Sequence, residues 1–284
     1  MIFHSELNRA VQEFAALMLP ISEKDLEHPW RWKDHDEEGI RFAFFVTLQE
    51  LRQLAVTLAA RRARPTRAQH ILSQYHVAYV DLQAALLGLT KEGTERAPAE
   101  GEWPVRKVYA HILSTEINFT ITIRYALEKH RAGTWTSEPI PDADADRLAG
   151  ISDDDFRALT SGALDKMLTY DRTLHSAIIE EFSGISDEEL ELPSTFWEET
   201  RFPIKHRLHR YEAHFVQHTV QIDKTLVAIG NAPTESKRLL RKIYAALAEA
   251  EGMMIGAGER ENTAIHETAS SLSERTKEIE GLLT

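Results

Sequence analysis

The chain contains no cysteine. Disulfides, thiolate metal ligands and a cysteine nucleophile are therefore excluded, and the absence suits a reducing cytoplasm, the expected location. Long apolar runs are missing too. None approaches the roughly 18 residues that a membrane-spanning helix needs, so no membrane partner is expected. The opening residues MIFHSELNRAVQEF carry Glu6 early and have no uninterrupted apolar segment, so they do not read as a signal peptide. Cations are in deficit: 33 Lys and Arg against 45 Asp and Glu leave a formal charge of -12. Such a surface repels phosphate backbones, which argues against nucleic acid as a partner. The clearest basic cluster, Arg61, Arg62, Arg64 and Arg67, reads as a solvated helix end. There is no Gly-rich phosphate loop, no GxSxG elbow and no HExxH.

What is present points to helices. With 284 residues and 43% of them hydrophobic, the chain can bury one large domain or two small ones. No strand pair or hairpin signal stands out. The periodicity predicts helices over about 4–18, 38–62, 66–89, 103–130, 153–182 and 203–229, with a broken tail over about 234–283. The third of these has one continuous stripe from Ile71 through Tyr75, Tyr79 and Leu82 to Leu89. The fifth opens on Ser152 as its N-cap and carries the stripe Phe156, Leu159, Met167, Tyr170, Leu174, Ile178. The segment 131–151 reads as a long acidic loop. Gly252, Gly256 and Gly258 mark the break in the tail. The expected fold is all-α: a four-helix bundle with long crossover loops over 65–231, an N-terminal helical extension over 1–64 and a C-terminal one over 232–284.

Histidine is plentiful, at 13 residues. His214 and His218 are four apart in EAHFVQHTVQI, and residues four apart on a helix lie one above the other. At ~100° per residue they fall at one edge of the stripe Leu208, Tyr211, Phe215, Ile222, Leu226. His111 sits likewise at the edge of Val105, Val108, Tyr109, Ile112, Phe119. Two readings fit: boundary residues with solvated tips, or three imidazoles sharing a metal with coordination positions left open. Glu116 lies near the centre of its apolar face, where a carboxylate needs a partner. It either orients a metal-bound histidine or acts as a base, or it makes a structural hydrogen bond. Asp34, His35, Asp36, Glu37 and Glu38 read as a solvated acidic turn. His206 and His209 read as surface residues, and His76, His130, His175 and His266 have no matching partner.

The run GEWPVRKVYAHILSTE, with Trp103, then His111, then Glu116, resembles the second-helix motif of the DinB/YfiT-like metalloproteins. HFVQHTVQI is similar to that family's last bundle helix, where HxxxH precedes a Gln-Ile pair. The resemblance covers about residues 66–230. It implies that His111, His214 and His218 ligate a divalent metal, zinc or nickel, at the base of a pocket, in a bundle that often forms homodimers. It further implies a transferase or isomerase that uses a small-molecule thiol. Metal-dependent hydrolysis by a bound water, or ligand binding and assembly without catalysis, are the alternative functions.

Overall fold

The computed structural model describes residues 6–196, 200–257 and 263–283. Residues 4 and 5 and Gly258, each placed in an expected element, lie outside them. Among the described residues the chain is all-α, with twelve helices and two minimal strand pairs. In chain order these are α1 (Glu6–Met18), α2 (Glu23–Leu26), β1 (Pro29–Trp30), β2 (Glu38–Gly39), α3 (Phe42–Arg61), α4 (Arg67–Ala85), α5 (Lys91–Glu95) and α6 (Val105–Arg131). There follow α7 (Asp142–Ala149), α8 (Asp153–Ser161), α9 (Leu164–Phe182), β3 (Pro193–Ser194), β4 (Phe202–Pro203), α10 (Ile204–Ala228), α11 (Glu235–Gly252) and α12 (Thr263–Leu283). No described helix is long and apolar enough to cross a membrane.

Two compact units result. One comprises the described residues up to Arg64, residues 80–88 and those from Ala232 onward. The other comprises Pro65–Tyr79 and Leu89–Asn231.

In the first unit the segments expected as separate N- and C-terminal extensions share one core. There α3 packs on α11 and α12, and α1 packs on α12 and α11. Phe14 of α1 meets Phe44 of α3 edge to face at 5.6 Å. The inward face of α3 includes Phe44, Thr47, Leu51, Leu54, Ala55 and Leu58; of the three-and-four series Phe42, Phe45, Leu48, Leu51, Ala55 and Leu58 that the periodicity predicts, the last three are inside, while Phe45 is 47% exposed. The helix also starts later than expected. Residues 38 and 39, expected as its first turn, pair instead with Pro29 and Trp30. That ladder, absent from the sequence expectation, forms because Trp30 and Trp32 turn into the core and stack at 5.8 Å. It also requires a glycine: a Cβ on Gly39 would sit 2.7 Å from the Leu26 carbonyl oxygen. Arg275 of α12 is fully buried over Trp32, with its guanidinium on Glu50 at 2.7 Å and Thr47 at 2.6 Å. Arg62, expected in a solvated cluster, caps the C-terminus of α11 by donating to the Gly252 and Ile255 carbonyls.

In the second unit, residues 67–79 of α4 join α6, α9 and α10 as a four-helix bundle. Tyr75 bonds to Glu116 on α6 and meets Phe215 on α10, while His76 meets His175 on α9. Each fully buried aliphatic or aromatic side chain contributes roughly 1.5–3 kcal/mol, so these stripes carry the bundle. The expected helix over 153–182 is two helices. Gly162 ends α8 at Ser161, since glycine gives up more conformational freedom in a helix than any other residue. The expected acidic loop contains α7, started by Pro141 and closed by Gly150 at φ 70°.

Candidate metal centre

The helices α6 and α10 run antiparallel. Thr120 hydrogen-bonds to Tyr211 at 2.8 Å, while His111, earlier on α6, meets His214 and His218, later on α10. Tyr211 and Phe215 fill the core below the histidines. That anchoring turns His214 and His218 toward α6 on successive turns, with ring centres 4.3 Å apart. The His111 ring lies 5.1 Å from His214 and 4.8 Å from His218. One nitrogen from each of the three lies within 4.8 Å of the others, and among the described residues the cluster has no fourth member.

The electrostatics prepare these nitrogens as donors. His214 and His218 are only 6% and 7% exposed, deeper than their stripe-edge positions predict, while His111 is half-open. Burial pushes the His214 pKa down to about 3, with His218, His111 and Arg210 adding to the effect. Burial and then His218 lower His111 as well. A neutral imidazole keeps the lone pair that a metal needs. The Nδ1–H of His218 donates to the Gln221 amide oxygen at 2.8 Å, which fixes the tautomer and leaves Nε2 as the free donor atom. The three residues fit a divalent ion. Nε2 of His111 and Nε2 of His214 are 3.3 Å apart, and bonds of ~2.0–2.1 Å at tetrahedral angles put neighbouring ligand atoms about 3.3–3.4 Å apart.

Glu116 has other partners. It is fully buried, and Tyr75 donates its hydroxyl to it. Its carboxyl group also stands close enough to Asp171 of α9, to which Tyr109 donates, for the two to interact electrostatically. Two buried carboxyl groups side by side cannot both stay ionised cheaply, so one of them favours holding a proton. Burial raises Glu116 well above its ordinary pKa, the nearby Asp171 charge adds to this, and Tyr75 opposes it. Burial raises Asp171 to about 6, with Glu116 and Tyr109 opposing. Beside this pair, Nδ1 of His76 and Nε2 of His175 are 3.0 Å apart, and Tyr79 stacks on His175 at 3.8 Å. His76 and His175, unmatched in the sequence, are thus each other's partners. A stripe defined by apolar residues alone passes over Asp171 and His175. Their spacing of four, the same as His214 and His218, was the available signal.

Of the remaining histidines, His130 donates to the Pro193 carbonyl at 2.8 Å and stacks on Trp135, and His266 pairs with Glu6 at 2.9 Å, partners that the sequence did not reveal. Residues 34–38 and His209 are exposed, and His206 stacks on Phe202 at 4.1 Å. No curated protein and no solved structure matches the chain significantly. A family model does: it matches residues 74–222, just over half of the 284, and spans both helices that carry the histidines. The chain belongs to the DinB superfamily.

Proposed function

We propose that the protein is a metal-dependent transferase whose nucleophile is a small-molecule thiol. The observation that carries this reading is the cluster of three imidazoles without a fourth protein ligand among the described residues. It suits a site whose open positions go to substrate rather than a closed structural site. His111, His214 and His218 are the ligands, and imidazole donors suit zinc or nickel. A divalent ion bound there is a Lewis acid that lowers the pKa of a thiol or water. Gln221 holds His218 in the required tautomer. Trp103 contacts His111 edge-on and Phe119 contacts His214, so apolar surface limits the approach of water to both rings. With no cysteine in the chain, the thiol arrives with the substrate. Cytoplasmic residence, where such thiols are kept reduced, is part of the same reading.

The test is a turnover screen of zinc- and nickel-loaded protein against low-molecular-weight thiols and electrophiles. The expected result is turnover that requires metal and thiol together and is lost in His214→Ala. Thiol-independent hydrolysis would make the protein a hydrolase instead. Full metal occupancy without turnover would make it a binding protein.

A further inference from the structure

Two cations stand beside the histidines, each one aromatic ring away. On α10, Arg210 precedes His214 by one turn. Its guanidinium lies 5.9 Å from the centre of Phe119, and the same ring lies 6.0 Å from His214. On α6, Lys107 precedes His111 by one turn. Its ammonium lies 4.7 Å over Trp103, whose indole meets His111 at 5.6 Å. Because α6 and α10 are antiparallel, the two cations flank the histidines from opposite ends. Arg210 is half-buried and close enough that its charge helps to depress His214.

Among the described residues, neither cation forms an ion pair. Arg210 is half-buried, unlike the exposed Lys107, and other partly buried arginines such as Arg41, Arg106 and Arg124 each hold a carboxylate. Cation–π packing at a partly exposed site is only weakly stabilising and does not replace a counter-ion. A half-buried guanidinium kept without a counter-ion beside neutral imidazoles creates a local positive potential in an otherwise acidic protein. Its planar fork matches the two oxygens of a carboxylate or phosphate.

We propose that Arg210, with Lys107 opposite it, recognises an oxyanion on the ligand of the histidine site, so that the ligand is a small carboxylate- or phosphate-bearing molecule. This rests on the reading of the three histidines as a ligand-binding metal site. Arg210 is then a specificity-determining residue: it fixes the ligand's charged end while the reacting end faces the histidines.

Isothermal titration of the full chain tests this, zinc-loaded and metal-free, with succinate, inorganic phosphate and the uncharged succinamide as probes. The wild type is expected to bind at least one anion at one per chain and to bind succinamide at least tenfold more weakly. Which anion binds tighter sorts carboxylate from phosphate. Arg210→Gln is expected to weaken the anion by about tenfold, Arg210→Lys to fall between, and Lys107→Gln to weaken it less. Zinc affinity in Arg210→Gln is expected to be unchanged or higher, since a positive charge has left the neighbourhood. Equal anion binding by wild type and Arg210→Gln, or equal binding of succinate and succinamide, overturns the assignment. Failure of the wild type to hold zinc defeats the metal reading instead, and the metal-free titrations still decide the role of Arg210.

Discussion

Nε2 of His111 and Nε2 of His214 lie 3.3 Å apart between two antiparallel helices. Each is neutral at pH 7, because burial and the neighbouring imidazoles disfavour a proton on either ring. Bringing two such groups together gives up the hydration of both, and the hydrogen bond they can share recovers only part of it. A cation between them recovers more. On the metal reading proposed above, that balance accounts for a polar cluster where the apolar stripes of α6 and α10 would otherwise close.

Gln221 is expected to matter to the metal and little to the fold. Its amide oxygen accepts from His218 Nδ1, and loss of such a partner costs about 10–100-fold in metal affinity. Gln221→Ala should lower zinc affinity by that factor in chelator competition, with an unchanged circular dichroism spectrum. Wild-type affinity in the variant would remove Gln221 from the site.

Glu116→Gln separates a core role from ligand support. Glutamine can accept from Tyr75 and donate to Asp171 without needing a proton. In the wild type, burial raises both carboxyls above their unfolded values. The folded state therefore holds a proton that the unfolded chain releases. The stability it brings is full below the unfolded carboxylate range and is lost as pH rises through the folded pKa, about 6 for Asp171. Stability of Glu116→Gln relative to wild type should thus rise between pH 5 and pH 8, on the order of 1–3 kcal/mol by urea unfolding. Parallel pH curves would contradict the shared proton. Zinc affinity should stay the same, and a 10–100-fold loss would instead assign Glu116 to orienting a histidine.

His175 acts with the opposite sign. Burial and His76 hold its pKa well below the ordinary value, so the folded form refuses a proton that the unfolded chain takes up below about pH 6.5. Replacement by phenylalanine, which stays neutral, should remove a loss of stability that the wild type shows as pH falls from about 6.5 to 5. Equal acid sensitivity in both proteins would contradict the buried neutral pair.

These polar groups mark where the sequence stopped being legible. The helices of the bundle and the placing of His111, His214 and His218 at the edges of their stripes follow from periodicity and spacing, because apolar stripes dictate which way a helix faces. The same logic hides Asp171 and His175, whose burial depends on partners on other helices, and it places Glu116 on its apolar face without identifying Tyr75 as its partner. It also leaves undecided which way the first turns of α3 face, although Leu51, Ala55 and Leu58 are inside as the periodicity predicts. Phe42, Phe44 and Phe45 satisfy a stripe in more than one register, and the choice is made by Trp30 and Trp32, whose pairing segment moves the helix start to Phe42.

In the first unit, Arg275→Ala should be severely destabilising. It leaves Glu50 without its buried partner and opens a void under Trp32, and removing one member of a buried pair costs about 3–5 kcal/mol. Urea unfolding followed by tryptophan fluorescence would show it. A loss below about 1 kcal/mol would mean that the Arg275–Glu50 pair behaves like an exposed one.

The most direct test of the account is a cobalt titration of metal-free protein without a histidine tag, read by its visible absorption. The three-imidazole site predicts one ion per chain, with binding reduced sharply in each of His111→Ala, His214→Ala and His218→Ala. Those variants should keep wild-type helicity, since the bundle is held by its apolar stripes. Saturable binding that survives all three substitutions, or no binding to the correctly folded wild type, would contradict the central claim.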